Sequence, residues 1–127
     1  MTRAHAAIGQ TPYATQITVG PRQLVADEPE ALGGKGTGFA PYDLLLSSLA
    51  ACTAITLRMY ADRKGWPLDS LDIELSLTGA GEQRQIRRVL HPVGLSADQA
   101  ARLADVAERT PVTLTLKSGI AITTTLA

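Results

Sequence analysis

The sequence holds a single cysteine, Cys52. One cysteine forms no intrachain disulfide and supplies no cysteine-rich metal cluster, so what remains is a free thiol. A charge of one sign is missing too, because twelve Lys and Arg face twelve Asp and Glu with no basic run among them. That balance gives no field to attract phosphate backbones or anionic membranes. Aromatic residues at 4% leave little for a base-stacking platform, and nucleic acid is excluded as an expected partner. No apolar run of signal-peptide length follows Met1, and the longest uncharged stretch, Leu44 to Leu57, is shorter than the roughly 20 residues that cross a bilayer. The expectation is a cytoplasmic protein with no membrane partner. His5 and His91 have no cysteine or carboxylate at ligand spacing, so neither a metal site nor a cofactor is expected. GGKGTG at Gly33 to Gly38 lacks the Lys-Ser/Thr ending of a phosphate loop and reads as a flexible lead into a helix. Ser47 and Ser48 have no histidine partner that the sequence suggests, which leaves a hydrolase triad unsupported.

What is present suffices for a folded domain. With 127 residues, 45% hydrophobic and 19% charged, the chain is expected to form one domain over 1–127 around one core. Tyr13, Thr15, Ile17 and Val19 alternate with less apolar neighbours, and after Gly20-Pro21 the segment Arg22 to Ala26 returns as a second strand. Asp27 to Ala40 is a loop of the length usually kept for function or interfaces. Pro41 suits a first helical position and Asp43 complements the positive helix end. The helix then runs to Lys64, where Gly65 and Pro67 stop it and Arg58, Arg63 and Lys64 gather near its negative end. Leu71, Ile73, Leu75 and Leu77 alternate with polar residues as a strand, and Gly79-Ala80-Gly81 turns the chain into a further strand over Gln83 to Val93 whose end Pro92 limits to an edge or exit position. Ser96 and Gln99 form a capping box for a second helix, Pro111 to Leu116 reads as an extended or single-turn segment, and Ile120 to Leu126 as a last strand. This order departs from βαβ alternation and points to an α+β fold, with helices against antiparallel sheet.

The first four turns of the long helix are apolar on every face, which calls for cover all round, more than a chain of this size supplies alone. A second subunit would supply it. Cys52 lies about three turns in, where the helix's own dipole has faded, so activation would need a nearby cation. Taken by itself, such a cysteine reads as a small buried hydrophobe.

The stretch Gly34 to Trp66, centred on APYDLLLSSLAACTAITLRMYADRKGWPL, resembles the OsmC/Ohr family of osmotically inducible and organic-hydroperoxide-resistance proteins, in its OsmC-like redox protein branch. GLSADQAARLADVAERTPV is similar to the family's second helix and the segment after it, and Ile120 to Leu126 to its last strand. The resemblance implies an OsmC-like fold, antiparallel sheets with a long central helix, in an intertwined homodimer whose two sites lie at the subunit interface. It also implies a peroxide-attacking cysteine at Cys52 and a resolving cysteine at the position of Thr110, whose hydroxyl cannot form a disulfide. Where peroxidase members carry a glutamate that holds a thiolate-stabilising arginine, ten residues before the cysteine, this chain has Tyr42, with Asp43 next to it. A helix neighbour points about 100° away, which makes Asp43 an imperfect substitute. Arg22 is the nearest candidate for the arginine. Plain readings stand beside these: a solvated strand residue for Arg22, a helix-start charge for Asp43 and packing at the helix end for Tyr60 and Trp66.

The leading expectation is therefore a redox or stress-response protein acting as a one-cysteine, thiol-dependent hydroperoxide reductase. Cys52 would be catalytic, Arg22 and Asp43 would support it, Tyr42 and Thr110 would bind, and an external thiol would be the reductant. The alternatives are a non-enzymatic dimer that binds a small apolar ligand in the interface cleft, and a cysteine that only packs.

Overall fold

A computed structural model describes all 127 residues. It comprises two compact units, Met1–Leu45 and Leu46–Ala127. The chain is mixed α and β with antiparallel sheets, as its alternation and helix signals imply.

The first unit holds three antiparallel strands in the order β1-β2-β3: β1 at Ala4–Ala7, β2 at Thr15–Val19 and β3 at Arg22–Ala26. Val19 pairs with Arg22 across a two-residue loop, and Gly20 takes the positive φ of 58° that such tight hairpins require. β1 was not expected. Its AHAA sequence carries no β-branched or aromatic signal, and His5 within it pairs with Thr18.

Asp27 to Ala40 is wound around the Asp27 carboxylate. The N–H groups of Tyr13, Glu28, Lys35 and Thr37 donate to it at 2.8–3.2 Å, and the Thr37 hydroxyl donates at 2.7 Å. The glycines serve this winding: a Cβ at Gly34 would collide with the Glu28 carbonyl, and one at Gly38 with the Val25 carbonyl. The expected flexible lead into the helix is thus a hydrogen-bonded loop.

The long helix α1 spans Pro41–Lys64. Ala40 receives the Leu44 N–H on its carbonyl and gives its own N–H to the Asp43 carboxylate, both within 3.2 Å, so Asp43 does cap the helix start. At the other end the Trp66 N–H reaches Ala61 and the Gly65 N–H reaches Asp62, with Gly65 at φ 67°. This double closure explains why Gly65 stands where it does. α1 is long and apolar enough to cross a membrane by length and composition alone, a test that the core helix of a soluble protein also passes. One stripe of it, Leu49, Thr53, Leu57 and Ala61 at every fourth position, is buried, while Ile55 and Met59 are more than half exposed.

In the second unit Leu57 and Ala61 form a core with Leu68, Leu103 and Ala107. Strands β4 (Ser70–Thr78) and β5 (Gln85–Val93) pair antiparallel over their full length and turn Leu71, Ile73, Leu75 and Leu77 inward opposite Pro92, Leu90, Arg88 and Ile86. Helix α2 (Ala97–Ala107) begins with the expected box, in which Ser96 Oγ accepts from the Gln99 N–H at 3.2 Å and Gln99 Oε1 accepts from the Ser96 N–H at 3.0 Å. Tyr60 and Trp66 meet edge to face at the end of α1, with ring centroids 5.5 Å apart.

Two further segments differ from the sequence reading. Pro111–Ser118 is a helix, α3, because Pro111 takes the first helical position where its missing N–H costs nothing and Thr110 is the extended residue before it. Ile120 to Leu126 forms no strand and is exposed. A strand exists through its neighbour's ladder, and within one chain β4 and β5 pair only with each other.

Candidate functional site

Cys52 sits on α1 next to the buried stripe, half-buried and in no disulfide. Its Sγ accepts the backbone N–H of Val112 at 3.4 Å and lies 3.9 Å from Thr56 Oγ1. The reason lies in α3. Pro111 has no N–H, so Val112 is the first donor of that helix, and first-turn donors have no acceptor within their own helix. The dipole of α1 is spent by the third turn, but the start of a second helix reaches the sulfur instead. An N–H at a helix start is suited to meet negative charge on sulfur.

Behind this contact lies a largely buried cation that the sequence reading passed over. Arg88 Nη1 donates to Thr53 Oγ1 and to Thr113 Oγ1, each at 2.9 Å. Nη2 donates to the Ala107 carbonyl at 2.8 Å and to Glu108 Oε2 at 3.1 Å. The four Nη protons therefore have four acceptors, and the side chain is only 12% exposed. The signal was present as parity: Arg88 lies two residues from both Ile86 and Leu90, on the inward face of β5, whereas Arg87 points out.

Thr110 is fully buried. Its hydroxyl shares a 2.6 Å hydrogen bond with that of Thr113, and Thr113 accepts from Arg88. The turn that carries Thr110 is thus brought to Cys52 through Val112, two residues on. Arg22, Tyr42 and Asp43 belong to the first unit: Arg22 is exposed at the start of β3, Tyr42 is exposed on the first turn of α1, and Asp43 holds the Ala40 N–H. No cluster of His, Cys, Asp and Glu able to hold a metal occurs among the described residues.

These features define a single-thiol α+β protein whose sulfur lies between a long central helix and the start of a short one. The chain belongs to the OsmC-like protein family, whose profile matches residues 34–125. None of the curated proteins matches it at a significant level. Among solved structures it is similar to an organic hydroperoxide resistance protein OsmC from Legionella pneumophila, at 26% identity and TM-score 0.70 over 92% of this chain and 89% of that one. It is also similar to the organic hydroperoxide resistance protein OhrB of Bacillus subtilis, at 24% identity and TM-score 0.64 over 91% and 90% of the two chains. A third structure, an organic hydroperoxide resistance protein from Vibrio cholerae with captopril in one of its active sites, gives 22% identity and TM-score 0.72 over 92% and 84%.

Proposed function

We propose that this protein is a one-cysteine hydroperoxide reductase that takes its electrons from an external thiol. The observation that carries the reading is the Cys52 sulfur set against the Val112 N–H, in a chain with no second sulfhydryl. In the first step the Cys52 thiolate attacks the terminal oxygen of an organic hydroperoxide, the O–O bond breaks, and the alkoxide leaves and takes a proton as the alcohol. Sulfur is oxidised to sulfenic acid and the peroxide is reduced. An external thiol then condenses with the sulfenic acid, releasing water and forming a mixed disulfide, and a second external thiol frees Cys52 as a small-molecule disulfide departs. The names of the Legionella and Bacillus relatives support the substrate class.

The working molecule in this reading is a homodimer. Its support is the exposed Ile55 and Met59 on a helix otherwise rich in apolar residues. Arg22 and Asp43 are proposed to aid the thiolate, and Tyr42 and Thr110 to line the substrate site. Alanine at Arg22 or Asp43 then lowers peroxide turnover while leaving the unfolding midpoint in place for Arg22.

The test is consumption of an alkyl hydroperoxide in the presence of a small dithiol. Wild-type protein consumes it catalytically and Cys52→Ser does not; equal rates for the two reject the enzyme. The second reading, a non-enzymatic dimer that binds an apolar ligand, draws on the exposed Leu114 and Leu116 of α3 and on the exposed Ile55 and Met59 of α1. It predicts a Cys52 that is slow to alkylate in the native protein and released on unfolding.

A further inference from the structure

We propose that Arg88 is a positioning residue for Cys52: it holds α1 and α3 together so that the Val112 N–H stays on the sulfur. The inference rests on the reading of Cys52 as the reacting thiol, and it assigns that site a support that no motif marks.

Three pieces of chain meet at the guanidinium. Thr53 belongs to α1 and directly follows Cys52; Thr113 belongs to α3 and directly follows Val112; Ala107 and Glu108 end α2. Nη1 alone bridges Thr53 and Thr113, the two residues next in sequence to the two ends of the Cys52–Val112 contact. A single planar nitrogen therefore sets the spacing between the helix that bears the sulfur and the turn that bears its donor.

The hydroxyls are fixed in turn. Thr53 Oγ1 donates its proton to the Leu49 carbonyl at 2.7 Å, which turns its lone pairs toward Arg88. Thr113 shares its proton partnership with Thr110 at 2.6 Å, and both hydroxyls lie 3.4 Å from the Ala107 carbonyl that Nη2 also reaches. The cluster leaves no buried polar side-chain atom unsatisfied. Such a network resists displacement, because opening the bond to Thr53 or to Thr113 strands a desolvated hydroxyl or N–H, whereas the exposed Glu108 can turn to water.

Arg88 does not act by touching the sulfur. All four Nη protons are committed to Thr53, Thr113, Ala107 and Glu108, and Glu108 at 3.1 Å answers its charge. Its effect on Cys52 passes through the placement of Val112. Lysine cannot reproduce all of this, since one ammonium that bridged the two hydroxyls could not also span to the Ala107 carbonyl and Glu108 at the end of α2.

The test reads the Val112 amide rather than peroxide turnover, so failure of the peroxidase reading and failure of this proposal are told apart. Nitrogen–proton correlation spectra are recorded for the wild type, Arg88→Met, Arg88→Lys and Thr113→Val, each alone and combined with Cys52→Ser. In the Arg88 background of the wild type, Cys52→Ser shifts the Val112 cross-peak. In Arg88→Met that response is lost, in Arg88→Lys it is reduced, and amides at the centres of β4 and β5 keep their positions. Thr113→Val removes the α3 side of the bridge, together with the hydroxyl bond to Thr110, and carries the test should Arg88→Met fail to fold. A Val112 cross-peak that still responds fully to Cys52→Ser in the folded Arg88 or Thr113 variants, with only the unfolding midpoint lowered, overturns the proposal and leaves Arg88 a stabilising residue alone.

Discussion

Thr110 and Thr113 join hydroxyl to hydroxyl at 2.6 Å, with Thr110 closed to solvent and Thr113 nearly so. The pair occupies the turn that brings Val112 to Cys52, where the family resemblance would place a second thiol. Hydroxyls in that place tie the turn to the Arg88 guanidinium and take no part in exchange at sulfur.

Thr110→Cys is therefore expected to restore an internal partner. After one equivalent of alkyl hydroperoxide the variant loses both thiols as a disulfide and releases water, whereas the wild type carries a sulfenic acid open to an external nucleophile. Mass spectrometry of the intact protein before and after alkylation distinguishes the two. Loss of the hydroxyl bond costs about 1 kcal/mol of stability.

Leu57 lies at the centre of the second unit with no exposed surface. Leu57→Ala is expected to lower unfolding free energy by about 2–5 kcal/mol, since the surrounding Leu103 and Leu68 cannot collapse fully into the space. Urea unfolding followed by circular dichroism measures it. A loss under about 1 kcal/mol would contradict the packing described.

Asp27 carries an acid-stability effect of definite sign. The Thr37 hydroxyl, then the backbone N–H groups of Thr37, Glu28 and Lys35, hold its carboxyl well below the usual carboxylate range. In the unfolded chain it titrates near about 3.9. Above that pH both states are ionised and the contribution is complete; as pH falls below it the unfolded state gains a proton that the folded state refuses, and stability is lost. Thermal midpoints between pH 5 and pH 3 should fall for the wild type. For Asp27→Asn they start lower and vary less, and an unchanged slope in that variant would dismiss the assignment.

Ile55 is more than half exposed on the face of α1 opposite its buried stripe. If that face is where two copies meet, Ile55→Lys halves the mass seen by sedimentation and leaves the helix content of each chain intact. A wild-type chain that sediments as a single copy would end the dimer proposal.

Much of the fold was legible because each signal had a local cause. Pro41, Asp43, Gly65 and Pro67 bound α1, and Ser96 with Gln99 opens α2 through contacts within one turn. β4 alternates because one of its faces is wet. The misses have a different origin. α3 hides behind β-branched Val112, Thr113 and Thr115, residues of extended habit that a proline at the first position and tertiary contacts set into a helix. β1 has only alanine and histidine to announce it, and it exists through its pairing with β2. Cys52 could be found by its solitude, whereas the Val112 donor depends on a contact 60 residues away in the chain. Arg88 was readable only by counting its parity against Ile86 and Leu90, since an arginine among arginines otherwise looks solvated.

The winding about Asp27 changes how the chain should meet a protease. By composition, Gly33 to Gly38 is the stretch an endoprotease would open first, but its amides are latched to one carboxylate and must be unlatched before the backbone can straighten in a cleft. Trimming should begin instead beyond Gly119, in the uncovered tail, and the glycines should survive until the first unit itself comes apart.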